Sequence, residues 1–236
     1  MDPEIPVIYE DNHLLVVDKP QNMPVQPDIS GDMDMLTCLK GYLKDKYNKP
    51  GNVFLGLVHR LDRPAGGVMV FARTSKAASR LTDQLRHRFV KKIYLAVVHG
   101  KPKPVGTLTH FLYKDRDANL VEAVPRETKG AKKALLHFTT LETAGNLSLV
   151  MITLETGRSH QIRVQFSKEG YPLWGDYKYG NVPVGDYQQL ALYSHKLQLE
   201  HPTQRKSITF ETLPPEKYPW SEFQYLQKIK EKKSQG

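Results

Sequence analysis

At 236 residues and 39% hydrophobic side chains, the chain is long enough for one large domain or two small ones around a sizeable core. Its 34 Lys and Arg against 25 Asp and Glu leave a formal charge of +9, which suits a polyanionic partner and equally suits plain solubility. The lone Cys38 excludes an internal disulfide and a cysteine-based zinc site. With no signal-peptide pattern in Met1 to Asp11 and no run of about 18 apolar residues, a cytoplasmic, membrane-free protein is expected.

Taken in chain order, short β-branched or apolar runs predict strands over Leu14 to Val17, Val68 to Ala72, Ile93 to Val98, Lys133 to Leu141, Leu147 to Leu154, Leu190 to Leu199 and Lys206 to Glu211. A first helix is predicted from about Asp34 to Tyr47, with Met35, Leu36, Leu39, Tyr42 and Leu43 on one face. A second follows Thr74 or Ser75 as cap, its buried stripe being Ala77, Leu81, Leu85 and Phe89. A third, short helix is expected to start at Ser159 and stop at Gly170. No repeat or linker interrupts the chain, so one continuous domain over 1–227 with a basic, frayed tail at 228–236 is the simplest division. The mixture reads as α+β, a mixed and mainly antiparallel sheet with flanking helices and loops.

The densest polar segment is His59-Arg60-Leu61-Asp62-Arg63-Pro64-Ala65-Gly66-Gly67, a loop before a strand. Arginines flanking Asp62 favour its ionised carboxylate, a possible nucleophile or base, and Gly66-Gly67 allow a tight turn. An ordinary charged loop with a surface ion pair is the alternative. A second segment, Thr156 to Arg163, joins a strand to the third helix; Arg163 lies one turn inside and can fork onto a carboxylate such as Asp62, or stand exposed. Tyr94 sits in an alternating strand, either as a core aromatic or as a stacking face for an unpaired base. Arg86, Arg88, Lys91 and Lys92 beside it are candidate phosphate contacts or a solvated charged face. His59, Asp62, His160 and His195 lack the spacing of a metal site, and neither a Walker A nor a GxGxxG sequence is present.

In their order along the chain these segments resemble the RluA-type family of RNA pseudouridine synthases. The matching runs are Tyr9-Glu10-Asp11 through Asp18-Lys19-Pro20, His59 to Arg63, Ile93-Tyr94-Leu95-Ala96-Val97-Val98-His99-Gly100, Thr156 to Val164, Gly175-Asp176 with Tyr179-Gly180, and Leu190-Ala191-Leu192 through His201-Pro202. The resemblance implies a pseudouridine synthase-like sheet fold and an isomerase acting on uridine in ribosomal or transfer RNA. It implies that Asp62 is the nucleophile, Arg163 its ion-pair partner, Tyr94 the aromatic against the target base and Arg60 an RNA contact that helps fill the space of the flipped nucleotide. Because the isomerisation is redox-neutral and loses no group, no cofactor and no metal are expected, and the protein is read as a monomer. Two departures stand out. Pro64-Ala65-Gly66 replace a polar residue, a threonine or valine, and a serine, which threatens loop hydrogen bonds. The S4-like RNA-binding module of many relatives is not seen before the opening strand, so binding is expected to rest on the catalytic domain.

Overall fold

The computed structural model describes residues 5–180 and 188–234. In chain order it forms β1 (Val7–Glu10), β2 (Leu14–Lys19), α1 (Met35–Lys46), β3 (Gly56–Leu57), β4 (Gly66–Ala72) and α2 (Ser75–Arg86). There follow β5 (Lys91–His99), β6 (Val105–Asp115), β7 (Leu120–Val124), β8 (Lys132–Ala144), β9 (Leu147–Leu154) and α3 (Gln161–Lys168). The chain ends with β10 (Leu192–Glu200), β11 (Ser207–Glu211), a 3-10 turn at Trp220–Glu222 and α4 (Gln224–Ser234). This is the α+β class expected. The chain divides into two compact units, one of residues 1–92 and 194–212, the other of 93–193 and 213–236.

In the first unit Asp11 starts β2 by accepting the N–H groups of His13 (2.8 Å) and Leu14 (2.7 Å) on one carboxylate oxygen. Its other oxygen meets His201 Nε2 at 2.7 Å, so the first and last motifs of the family series close on each other. β2 pairs antiparallel with β4 from Leu14↔Ala72 to Lys19↔Gly67, which delivers Lys19 beside the loop that precedes β4. Alternate residues Leu14, Val16, Val68 and Val70 join Ala77 and Leu81 of α2 in one core, with Leu197, Leu199 and Phe210 from β10 and β11. Both helices begin as expected: Asp34 accepts the Thr37 N–H (3.0 Å) and Thr74 the Ala77 N–H (3.1 Å). The stripe of α2 ends early, however. Ala77 and Leu81 are buried, but Phe89 lies beyond the last turn and is 70% exposed.

In the second unit β5, β9, β8, β6 and β7 lie side by side in that order, and the β8–β9, β6–β8 and β6–β7 pairs are antiparallel. Strands β6 and β7 are additions to the sequence reading. Val164 of α3 packs with Leu112, Val121 and Ala134, so these two strands form the floor under α3. Leu95, Val97, Leu149 and Tyr193 form a second core with Trp220, Phe223 and Leu226. The helix α4 covers most of the stretch expected to fray, while residues 235 and 236 lie outside the described residues. No described helix is long and apolar enough to cross a membrane.

Candidate active site

Asp62 stands at the first position of a β-turn that its own carbonyl closes by accepting the Ala65 N–H at 3.0 Å. The turn is held from beneath by a lysine. Lys19, only 1% exposed, donates to the carbonyls of Pro20 (2.9 Å), Arg63 (2.9 Å) and Ala65 (2.8 Å), and three acceptors use the three N–H groups of an ammonium. Burial pushes the Lys19 ammonium down to about 7, the negative charge of Asp62 pulls it back up, and Arg63 adds a smaller downward push. These bonds go to the main chain, so they do not depend on the side chains at 64 and 65. Gln21 adds a weaker bond to Pro64 O at 3.3 Å. The departure Pro64-Ala65-Gly66 therefore leaves the turn clamped. Gly67, at φ +110°, is fixed for another reason: a Cβ there would lie 2.3 Å from Ser194 O.

Two expectations about this loop change. Arg63 turns away from Asp62 to the loop after β2, where it donates to Asn22 O (3.0 Å) and Ser30 Oγ (3.1 Å) and pairs with Asp32. Lys19, which the sequence reading passed over as part of a strand and turn, is a cation whose charge is coupled to that of Asp62. His59 also has a fixed role, because its Nε2 accepts the Val70 N–H at 3.1 Å and so carries no proton. Burial, reinforced by the positive charge of Lys92, lowers the imidazole to about 4. It is a neutral strut under the loop. Of the expected phosphate contacts, Arg86, Arg88 and Lys91 are exposed, as is Arg60. Lys92 is half-buried and its ammonium is lowered by burial, which does not suit a solvent-facing phosphate contact.

In the second unit, α3 begins at Gln161, two residues after the expected start at Ser159. Its N-cap is His160, in the left-handed conformation at φ 50° and without a side-chain cap bond, so Ser159 is not the cap. Gln161 organises the turn instead. Its Oε1 accepts from Thr156 Oγ1 (2.8 Å) and the Arg158 N–H (3.0 Å), and its Nε2 donates to Leu135 O (3.1 Å). Arg163, 6% exposed, forks onto Asp176: Nε to Oδ2 at 2.8 Å and Nη2 to Oδ1 at 2.7 Å. Asp176 is itself fixed by the N–H groups of Lys178 (3.0 Å) and Tyr179 (3.1 Å). The Tyr179 ring lies over the guanidinium at 5.1 Å, and its hydroxyl meets His160 Nδ1 (2.6 Å) and accepts the Val121 N–H (3.0 Å). Gly175 makes this cradle possible, since a Cβ at its φ of +69° would lie 2.5 Å from Gln189 O. Gly175-Asp176 and Tyr179-Gly180 were visible in the sequence as a motif without a role; the role is to orient Arg163. Tyr94 is 8% exposed in β5. Among the described residues no three His, Cys, Asp or Glu side chains gather as metal ligands would.

A turn-borne carboxylate over a buried ammonium is equipment for nucleophilic or acid–base work, and a rigidly forked arginine is, by itself, equipment for meeting negative charge. The family model described as RNA pseudouridylate synthase matches residues 13–168. The ribosomal large subunit pseudouridine synthase D of Pseudomonas aeruginosa is 35% identical over 93% of this chain and 71% of that protein. An uncharacterized RNA pseudouridine synthase of Bacillus subtilis, YlyB, is 34% identical over 90% of this chain and 70% of its own. Another from Synechocystis is 36% identical over 86% of this chain, which spans 63% of that relative's length. Among solved structures, human RNA pseudouridylate synthase domain containing 4 superposes with a TM-score of 0.75 at 24% identity over 89% of this chain and 88% of that one. Human RNA pseudouridylate synthase domain containing 1 gives 0.70 at 25%, covering 91% and 87%.

Proposed function

Since the chain belongs to the RNA pseudouridylate synthase family, we propose that it converts specific uridines of ribosomal RNA to pseudouridine with Asp62 as the nucleophile. The observation that carries this reading is the clamped turn at Asp62, because nucleophilic catalysis gains most when the attacking group is held in place before the substrate arrives. Ribosomal RNA is preferred to transfer RNA because relatives such as those of Pseudomonas aeruginosa and Neisseria meningitidis are named for the large ribosomal subunit.

The reaction breaks the N1–C1′ bond, turns the uracil and joins its C5 to C1′; the proton leaving C5 is balanced by one gained at N1. Asp62 can act at C1′, remove the C2′ proton to give a glycal, or add to C6 of the ring, and each route needs the ionised carboxylate. In this proposal Arg163, oriented by Asp176, supplies the counter-charge for Asp62, Tyr94 faces the target base and Arg60 helps to fill the space that the flipped base leaves. The protein works as a cytoplasmic monomer. Mapping pseudouridines in total RNA from cells with and without the gene tests the reading. Loss of one or a few ribosomal sites is expected, whereas an unchanged map would overturn it and loss confined to transfer RNA would move the substrate.

A further inference from the structure

Helix α2 closes in a conformation that its own sequence disfavours. The Phe89 N–H donates to Gln84 O (2.9 Å) and the Arg88 N–H to Leu85 O (3.3 Å), the pair of bonds that ends a helix through one left-handed residue. That residue is Arg88, at φ 63°. Glycine takes this conformation without strain and asparagine tolerates it, but a long side chain does so at a cost. Among the described residues the non-glycine positions with positive φ are Asn22, Asn48, Asn119, His160, Arg88 and Arg205. Three are asparagines and His160 caps α3, which leaves the two arginines to be explained.

Both belong to one surface. A groove of about 820 Å³ runs between α2 and the turn joining β10 to β11, and Arg86, Phe89, Lys91 and Arg205 are among its lining residues. Phe89 is 70% exposed and stacks on His87, ring centroids 5.9 Å apart at 25°. Arg88 adjoins Phe89 in the chain. The groove also has acidic residues, Asp83 and Glu200, but Asp83 is paired with Arg86 at 3.2 Å. Among the described residues Lys91 and Arg205 are left without an ion pair. Complementing the dipole of α2 does not require Arg88 in this conformation, since Arg86 already stands in the last turn, and Arg205 is at no helix end.

We propose that this groove binds an unpaired stretch of the RNA substrate outside the target nucleotide, one base stacking on the Phe89–His87 pair and phosphates meeting Lys91, Arg88 and Arg205. The inference rests on RNA being the substrate. An exposed aromatic flanked by unpaired cations is what single-stranded RNA needs, whereas a duplex offers phosphates but no free base face. Backbone strain at both arginines is then the consequence of placing cations where a stable turn alone would take glycine.

The test uses the full chain, a labelled oligouridylate of roughly 12 nucleotides and an RNA duplex of the same length. Phe89→Ala should weaken oligouridylate binding at least about fivefold, the lower bound for losing one stacked base, and leave the duplex nearly unchanged. Arg88→Gly and Arg205→Gly should also weaken binding, yet unfold at the parental temperature or above, because glycine relieves the left-handed backbone. In turnover, Phe89→Ala should raise KM and leave kcat alone. Parental affinity in all three variants, equal loss on the duplex, or weaker binding only where the melting temperature also falls would each overturn the proposal. Binding needs no turnover, so oligouridylate held through Phe89 by a protein that makes no pseudouridine would count against the synthase reading and not against the groove.

Discussion

In the proposed reaction Asp62 is the residue on which the chemistry turns, and what the fold adds is a buried lysine whose ammonium clamps its turn. Lys19→Met should lower kcat by more than tenfold. It should also destabilise the fold by about 1–3 kcal/mol, because three carbonyls lose their donor in a buried site. Urea unfolding with single-turnover kinetics checks both effects, and a variant with parental kcat would remove Lys19 from the account. His59 gives a pH signature. Its imidazole titrates near 6.5 when unfolded and at about 4 when folded, so between those values the unfolded chain holds more protons. The contribution is fully present above pH 6.5 and is lost as pH falls toward 4, up to about 3 kcal/mol. His59→Gln, which can still accept the Val70 N–H, should flatten the drop in urea midpoint between pH 7 and 4.5; an identical drop in the two proteins would contradict the burial of this ring. Sequence reading put the charges of Arg60 and Arg63 beside Asp62 because they are its neighbours in the chain. It missed Lys19 because the contact spans 44 residues and exists only once β2 pairs with β4.

At the scale of elements, the helices α1 and α2 were legible because each has a capping side chain and a periodic apolar face, signals that are complete within a dozen residues. Phe89 misled because its spacing continues the stripe past the point where the backbone leaves the helix. Strands β6 and β7 were not legible for a different reason: much of β6 is exposed and its hydrophobic alternation is weak, so its register is set by pairing with β8 and by α3 above it. The cradle around Arg163 belongs to this scale. It joins α3 to the segment after it, and the resemblance named Asp176 and Tyr179 without saying what they hold. Asp176→Asn keeps the shape but leaves the buried guanidinium short of its counter-charge, so a loss of about 3 kcal/mol in stability is expected. Activity should fall mainly in kcat. Arg163→Lys, which cannot fork, should recover only part of the rate lost in Arg163→Met. Urea midpoints and initial rates for the four proteins decide this, and parental rates in Arg163→Met would show that the arginine serves structure alone.

For the whole molecule, a formal charge of +9 and RNA as substrate require binding to weaken steeply with salt. The two lysines that open β5 should behave differently. Lys91→Ala should lower the slope of log Kd against log salt by up to about one unit, whereas half-buried Lys92→Ala should leave it unchanged. Equal effects would place both on the RNA face. The family and its fold were legible because six motifs recur in one order, but local composition could not say which charges pair, since burial and partner decide that. The central claim is that Asp62 performs the chemistry, and Asp62→Asn tests it most directly because it keeps the volume and hydrogen bonding while removing the charge. Substrate and product are isomers, so the measurement is tritium released from RNA labelled at uracil C5 together with affinity for the same RNA. The parental protein should release the label, and Asp62→Asn should bind that RNA equally well with no release above background. Equal release from both proteins would contradict the assignment.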